Sequence, residues 1–382
     1  MNKPILAFGA LLAAFGAFDC VAAEPCATAS EGPVSPSMAK AAISWGSSFD
    51  LPPLGGRRNP GVARPFAGVS NGRVLLAGGA NFPNRPLAAG GLKVYHDDVW
   101  CLDTAADEPR WEFVGRLPVP WAEGGSAVTP KGVACVSGVV GSDGAAKTNG
   151  CFLMAWEGGR VVFRSLPPFA EAASYAAAAA CGTTVYGVGT RRVAALDVAA
   201  RSPAWRPLPD LPEEVFQPAA AVQTVNGRPW LFVFAEHGAA QTSGGWSIDL
   251  GRADAAWAPV PDVAPSTGQS DRRFVGTLAL PHGDRQILFF GGTSRAVARA
   301  SEGRSKSWYL GHPTDWFRMA RSILVYDAPT ASWSVLGETP FAGRCGSAVV
   351  ALPGGRVLVS GGEIAPGIRT PAGAIGTFTP AR

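Results

Sequence analysis

Leu196-Asp197-Val198-Ala199-Ala200-Arg201-Ser202-Pro203-Ala204-Trp205, with Leu211-Pro212 soon after, is one copy of a pattern that recurs along the chain. An apolar residue plus Asp closes one strand, Trp belongs to the next, and Leu-Pro leads out. The spacing from Asp to Trp is eight residues here, at Asp103 and Trp111, and at Asp249 and Trp257, and six at Asp327 and Trp333. Leu117-Pro118 and Leu166-Pro167 repeat the exit. Upstream, each copy has a small-residue strand, a turn, and an apolar strand ending in glycine. Those ends are Gly78-Gly79, Gly138, Gly189, Gly291-Gly292 and Gly361-Gly362, while the copy near Phe234-Ala235 has lost its glycine. Self-similarity at this period marks a repeat architecture in which each unit buries its apolar faces against its neighbours.

Five units occupy residues 64–118, 121–168, 171–212, 217–263 and 272–340. A sixth begins at Arg344 but reaches Arg382 without its Trp strand. The missing piece stands at the other end of the chain, Ile43-Ser44-Trp45 followed by Asp50-Leu51-Pro52. An N-terminal strand that completes the last unit closes a ring and hides its sheet edges. The expectation is an all-β, six-bladed Kelch-type propeller rather than a β-sandwich. Abundant Gly (48) and Pro (33) with only 16% charged residues agree with many strands and turns.

Residues 1–23 read as a cleavable export signal: Lys3, an apolar run from Ile5 to Phe18, and Val21-Ala22-Ala23 before the cut. Residues 24–382 then form the propeller domain, periplasmic in a Gram-negative cell. No later apolar run is long enough to span a bilayer, so no membrane insertion is expected. A net charge of +4 is too small and too scattered for a nucleic-acid partner. Beyond residue 23 the cysteines are Cys26, Cys101, Cys135, Cys151, Cys181 and Cys345. Cys135 and Cys151, on neighbouring strands of one hairpin, are the candidate disulfide, and no C-x-x-C spacing suggests a metal.

In an up-and-down blade the loops between second and third strands share one face with the crossovers between blades. On that face the third unit has almost no loop, Gly189 to Arg192. The fifth has a long one, Thr293 to Met319, and the first runs from Ala80 to about His96. Ring closure sets the sixth unit between them. Its loop, Gly361-Gly362-Glu363-Ile364-Ala365-Pro366-Gly367-Ile368-Arg369-Thr370, carries a carboxylate and a guanidinium around a Pro-Gly turn. Long loops in a compact domain are usually functional.

The run Gly-Glu-x-x-Pro-Gly-x-Arg-Thr at 362–370 resembles the signature loop of the N-acetylneuraminate epimerases, or sialate mutarotases, which are Kelch propellers. Leu76-Ala77-Gly78-Gly79-Ala80-Asn81-Phe82-Pro83 and Gly91-Leu92-Lys93 resemble the segment that follows it one blade later. In the usual arrangement the Glu/Arg loop lies in mid-chain. Here it is C-terminal, so the chain looks like the cyclically permuted mutarotase branch. The resemblance implies a catalytic Glu and Arg, carried over onto Glu363 and Arg369, and a small acidic sugar as partner.

The chemistry suits those two residues. Sialic acid is a cyclised 2-keto acid, and exchanging its anomers requires a base at the anomeric hydroxyl, an open chain, and reclosure on the other face. One placed carboxylate does this without cofactor or metal. Arg369 can bind the substrate carboxylate by two parallel hydrogen bonds and keep Glu363 ionised. Asn81, Lys93, Arg273 and Arg344 are candidates for further polar contacts, and Trp308 and Tyr309 for a wall. A non-catalytic Kelch module binding glycan or protein is the alternative, and an oligomer is compatible with exposed loops such as Trp316-Phe317. A copper oxidase needs Tyr and His ligands, whereas His96 and His282 read as a strand lead-in and a hairpin turn. A sialidase would show S-x-D-x-G-x-x-W turns, which are absent.

Overall fold

The structure, a computed structural model, describes residues 42–53, 56, 58–141 and 146–379. Residues 1–23, read above as an export signal, and Cys26 lie outside the described residues. Six antiparallel sheets follow one another along the chain, each built on a path of four strands, and the second and sixth carry a short fifth strand as well. The first consists of Phe66–Ser70, Arg73–Ala77, Asp98–Asp103 and Trp111–Arg116, and the second of Gly125–Thr129, Gly132–Val140, Ala146–Glu157 and Arg160–Leu166. The third runs from Ala177–Cys181 to Arg206–Pro207, the fourth from Ala219–Val225 to Ala258–Val260, and the fifth from Leu278–His282 to Ser332–Glu338. In the sixth, Ala348–Leu352, Arg356–Ser360 and Ala372–Thr379 are completed by Ala42–Trp45, which pairs with Ala372–Thr379. The first strands of successive blades touch one another all the way round, the sixth against the first. The molecule is the expected six-bladed propeller, closed by its N-terminal strand.

The repeat residues have definite tasks. Asp103, Asp197 and Asp249 each accept a hydrogen bond from the backbone N–H two residues on, turning the chain from third to fourth strand. The Trp of that fourth strand ties its blade to the one before. Trp205 Nε1 donates to Pro167 O, Trp257 to Pro209 O and Trp333 to Pro261 O, at 2.8–2.9 Å. In the third blade the exit that takes this bond is therefore Leu208-Pro209, not Leu211-Pro212. The core is a series of apolar seams between sheets. Where sheets converge on the axis, first strands carry small residues such as Ala177–Ala180 and Ala219–Ala221, all buried. Farther out, Phe234 meets Phe274, Phe289 and Trp333 edge-on, each such pair adding roughly 0.5–1.5 kcal/mol beyond the area it buries.

The candidate disulfide does not form. Cys135 is opposite Phe152 and Cys151 opposite Val136, so the two cysteines sit one register step apart and face opposite sides of the sheet. Both thiols are free, in separate apolar seams. The long fifth-blade loop also departs from expectation. It holds two short helices, α1 (Arg295–Ser301) and α2 (Lys306–Leu310), capped by Ser294 and Ser305, and a 3-10 turn at Thr314–Phe317. None of the helices described is long and apolar enough to cross a membrane.

The glycine pairs that mark the repeat are joints between blades. Gly362 N donates to Val62 O, and Gly79 N to Trp121 O, each on the crossover into the following blade. Gly361 has φ of 68°, and a Cβ there would lie 2.6 Å from Val62 O. Gly354 has nearly the same φ, 74°, with nothing within 4 Å. The pair separates conformational cost from clash. Gly354→Ala should cost about 1–2 kcal/mol, and Gly361→Ala clearly more, read as the difference in thermal midpoint between the two variants.

Candidate functional site

Glu363 and Arg369 meet because of a local rule. Glu363–Ala365 and Ile368–Arg369 form a small ladder closed by Pro366-Gly367, with Gly367 at φ 80°, the residue order and sign that a type II turn requires. Glu363 then stands opposite Arg369, and their side chains form an ion pair between Oε2 and Nη1. Glu363 N and O bond Cys345 O and N at 2.8 and 2.9 Å, which fixes the backbone beneath the carboxylate. The pair is buried, with side-chain exposures of 0% for Glu363 and 4% for Arg369. Glu363 Oε1 accepts no hydrogen bond from the described residues. Arg369 Nε donates to Ala80 O at 3.2 Å, and its guanidinium lies 5.3 Å from the Phe82 ring centre. Burial pulls the Arg369 pKa down to about 10.

The flanking loops come together as the topology predicts. The 3-10 turn at Thr314–Phe317 packs on Glu363–Ala365, and Leu87–Ala89 of the first-blade loop touches α2. Val297, Phe317 and Ala365 form one apolar cluster, with Tyr309 and Trp316 against it. Tyr309 is thus part of the cover over the Glu/Arg hairpin. Trp308 is 36% exposed and packs against His312 and Trp316.

Around the axis lies a second group that the sequence reading did not single out. Two residues before each first strand stand Arg64, Glu123, Tyr175, Gln217, Gly276 and Gly346, and all six have positive φ, between 54° and 75°. Arg64 N donates to Gly346 O, Glu123 N to Arg64 O, Tyr175 N to Glu123 O, and Gly346 N to Gly276 O. The four non-glycine side chains are buried. Arg64 Nη2 reaches Gln217 Oε1 at 3.0 Å. Those residues come from the first and fourth blades, opposite each other in a six-membered ring, so the bond spans the axis. The Arg64 guanidinium also lies 4.6 Å from the Tyr175 ring centre, and burial draws its pKa down to about 9. Aligning the repeats on their first strands would have exposed these positions.

The remaining sequence candidates divide. Lys93 belongs to this group: its Nζ pairs with Glu123 Oε1 at 2.5 Å, with Tyr95 OH 3.4 Å from the same oxygen. Burial lowers the Lys93 pKa, and burial together with Glu123 raises that of Tyr95. Asn81, in contrast, is used up as a staple, Nδ2 to Gly61 O and Oδ1 to His96 Nε2. Arg344 bonds Gly361 O and Ala372 O and stacks on Phe341, so it holds backbone rather than facing the pair. Arg273 is engaged by both oxygens of Glu236, beside Arg295. Asn81 and Arg344 thus hold backbone carbonyls of the crossovers, and Arg273 is taken up by the Glu236 carboxylate. A cavity of about 260 Å³ is lined by Pro60, Phe82–Pro86 and Gly367–Arg369, so it reaches Arg369 of the pair, but Glu363, Arg64 and Gln217 do not line it. No His, Cys, Asp and Glu cluster of metal-binding shape occurs among the described residues.

Comparison with known proteins places this geometry. A family model described as N-acetylneuraminate epimerase matches residues 166–382, which include the Glu/Arg hairpin. The N-acetylneuraminate epimerase of Brucella melitensis is 38% identical over 123 residues, 31% of either chain. That of Haemophilus influenzae is 29% identical over 223 residues, 52% of this chain and 55% of that one. The chain thus spans about a third to a half of the curated relatives it matches. The solved structure of YjhT superposes with a TM-score of 0.60 at 13% identity, covering 87% of this chain and 99% of that one, and shares the fold.

Lys93 and Glu123 provide a test of how closed the axial group is, with side-chain exposures of 20% and 5%. Lys93→Met leaves a buried carboxylate without its cation and should cost roughly 3 kcal/mol in urea unfolding. Adding Glu123→Gln to that variant should restore most of the loss.

Proposed function

The chain belongs to the N-acetylneuraminate epimerase family, and from that membership we propose that it interconverts the α and β anomers of N-acetylneuraminate. The observation that carries the reading is the buried Glu363 carboxylate, held by Arg369 through one oxygen and open at the other. The free oxygen takes the proton of the anomeric hydroxyl. The ring C–O bond breaks, the ring oxygen takes that proton back from Glu363, and the 2-keto form results with the carboxylate restored. Rotation about the bond to the keto carbon presents its other face. The hydroxyl then adds back to the keto carbon, Glu363 takes its proton, and Glu363 passes that proton to the former keto oxygen, which becomes the new anomeric hydroxyl. No atom or electron is lost, and the carboxylate ends as it began.

Arg369 serves this cycle by keeping Glu363 ionised, since a neighbouring cation favours the charged form of a carboxylate. It also fixes the carboxylate orientation, because Nε is anchored on the Ala80 carbonyl. Glu363 is fully buried beneath the fifth-blade helices, so the substrate enters when that cover lifts and reacts when it closes, as in other lidded sites. A protein-docking propeller would place such an ion pair on a solvated rim, where it is worth little.

Proton NMR on freshly dissolved α-anomer tests the reading. Wild type should speed equilibration above the no-enzyme rate, and Glu363→Gln should lose about 10²–10⁴ of the catalysed rate while keeping its circular dichroism spectrum. A folded Glu363→Gln variant with the wild-type rate would remove Glu363 as the base.

A further inference from the structure

The axial ring holds hydrogen-bonding capacity that the protein itself leaves unused. Arg64 donates to Gln217 from Nη2, while Nε and Nη1 have no partner among the described residues. A guanidinium only donates, so Gln217 must turn its oxygen toward Arg64, and its Nε2 is then also without a partner. Whichever Nη2 hydrogen Gln217 takes, the opposite edge of the guanidinium keeps two parallel N–H groups. Both side chains are buried, Arg64 at 3% and Gln217 at 1% exposure. Buried polar groups are nearly always satisfied, so an orphaned cluster of donors asks for an acceptor.

The backbone does not call for arginine here. Arg64 has φ of 66°, a conformation that disfavours any side chain, and the equivalent ring positions of the fifth and sixth blades are Gly276 and Gly346. Charge points the same way. Lys93 is matched by Glu123 and Arg369 by Glu363, which leaves Arg64 as the cation of this group without a carboxylate. Arg64 N bonds Gly346 O, and the preceding residue Cys345 pairs with Glu363, so the backbone that holds Arg64 also holds the proposed base. Tyr175, 4.6 Å away at its ring centre, holds the guanidinium plane.

We propose that Arg64 and Gln217 are the seat of the substrate's carboxylate, Arg64 by two parallel hydrogen bonds and Gln217 by its free amide N–H. The assignment rests on the reading above, that the substrate is a cyclised 2-keto acid whose carboxylate adjoins the reacting carbon. It divides the labour between two arginines: Arg369 holds the base and Arg64 holds the acid.

The experiment compares N-acetylneuraminate with its methyl ester, in which the carboxylate charge is masked, for wild type, Gln217→Glu, Arg64→Gly and Glu363→Gln. Gln217→Glu puts a carboxylate in the seat and gives Arg64 a partner, so its melting temperature should not fall below that of wild type. Its kcat/KM for the free acid should drop on the order of 10²-fold, mostly in KM, and far less for the ester. Arg64→Gly, suited to the backbone conformation, should likewise abolish the preference for free acid over ester, whereas Glu363→Gln should slow both compounds. A folded Gln217→Glu that keeps the wild-type preference for the free acid overturns the seat but leaves the mutarotase reading intact. A wild-type protein that accelerates neither compound overturns that reading, and the seat with it.

Discussion

Neighbouring blades of a propeller pack face to face and cannot share a sheet ladder, so the backbone at the axis must find its partners another way. Here each crossover passes through a left-handed residue that turns its N–H and C=O around the ring. Arg64 bonds Gly346, Glu123 bonds Arg64, Tyr175 bonds Glu123, and Gly346 bonds Gly276. The glycine pairs at the ends of second strands then donate to the same crossovers from outside, as Gly362 N does to Val62 O. Everything on this face is positioned by that arrangement. A side chain on a ring residue has nowhere to go but the axis, and Glu363 is fixed one residue away from it through Cys345.

Such a ring makes an unusual place to keep charge. The sheets around it are joined by apolar seams, and only 16% of the chain is charged, yet Arg64, Glu123, Glu363 and Arg369 are gathered in the interior. Burial weakens both arginines as bases, drawing them to about 9 and about 10. An interior of low dielectric also strengthens whatever pairing is available. Two cations meet carboxylates of the protein. The third is left for something that is not protein, and the same desolvation that makes its solitude costly gives an incoming anion a large return.

What the sequence disclosed followed from local rules. The Asp turn and the Trp indole bond act within or between adjacent blades, so they leave a spacing that can be counted. Glu363 and Arg369 are likewise joined by a four-residue turn, and their meeting could be read from Pro366-Gly367 alone. Arg64 and Gln217 are 153 positions apart and meet only because the ring closes. A single polar residue before an apolar strand carries no mark of that. Asn81, Arg273 and Arg344 misled for a related reason. Polar residues on crossovers are needed to cap carbonyls and loop backbone, and from sequence such a residue looks the same as one facing a ligand. Cys135 and Cys151 share a hairpin, but the alternation of faces along a strand overrides proximity.

Ring closure binds the site to the first of the described strands. Ala42–Trp45 completes the sixth blade, and Trp45 packs on Phe341 at 4.9 Å. From there Leu51 N bonds Pro371 O, Asn59 bonds Pro52 O and Gly61 N, and Asn81 takes Gly61 O. That path ends beside Ala80, whose carbonyl holds Arg369. Glu363, Arg369 and Arg64 thus come from the two ends of the chain and are brought into register by one short strand. Short edge strands are the part of a sheet that opens most easily. The closure that completes the propeller is therefore also what assembles the site, and opening it would separate Arg369 from its anchor before any blade unfolds.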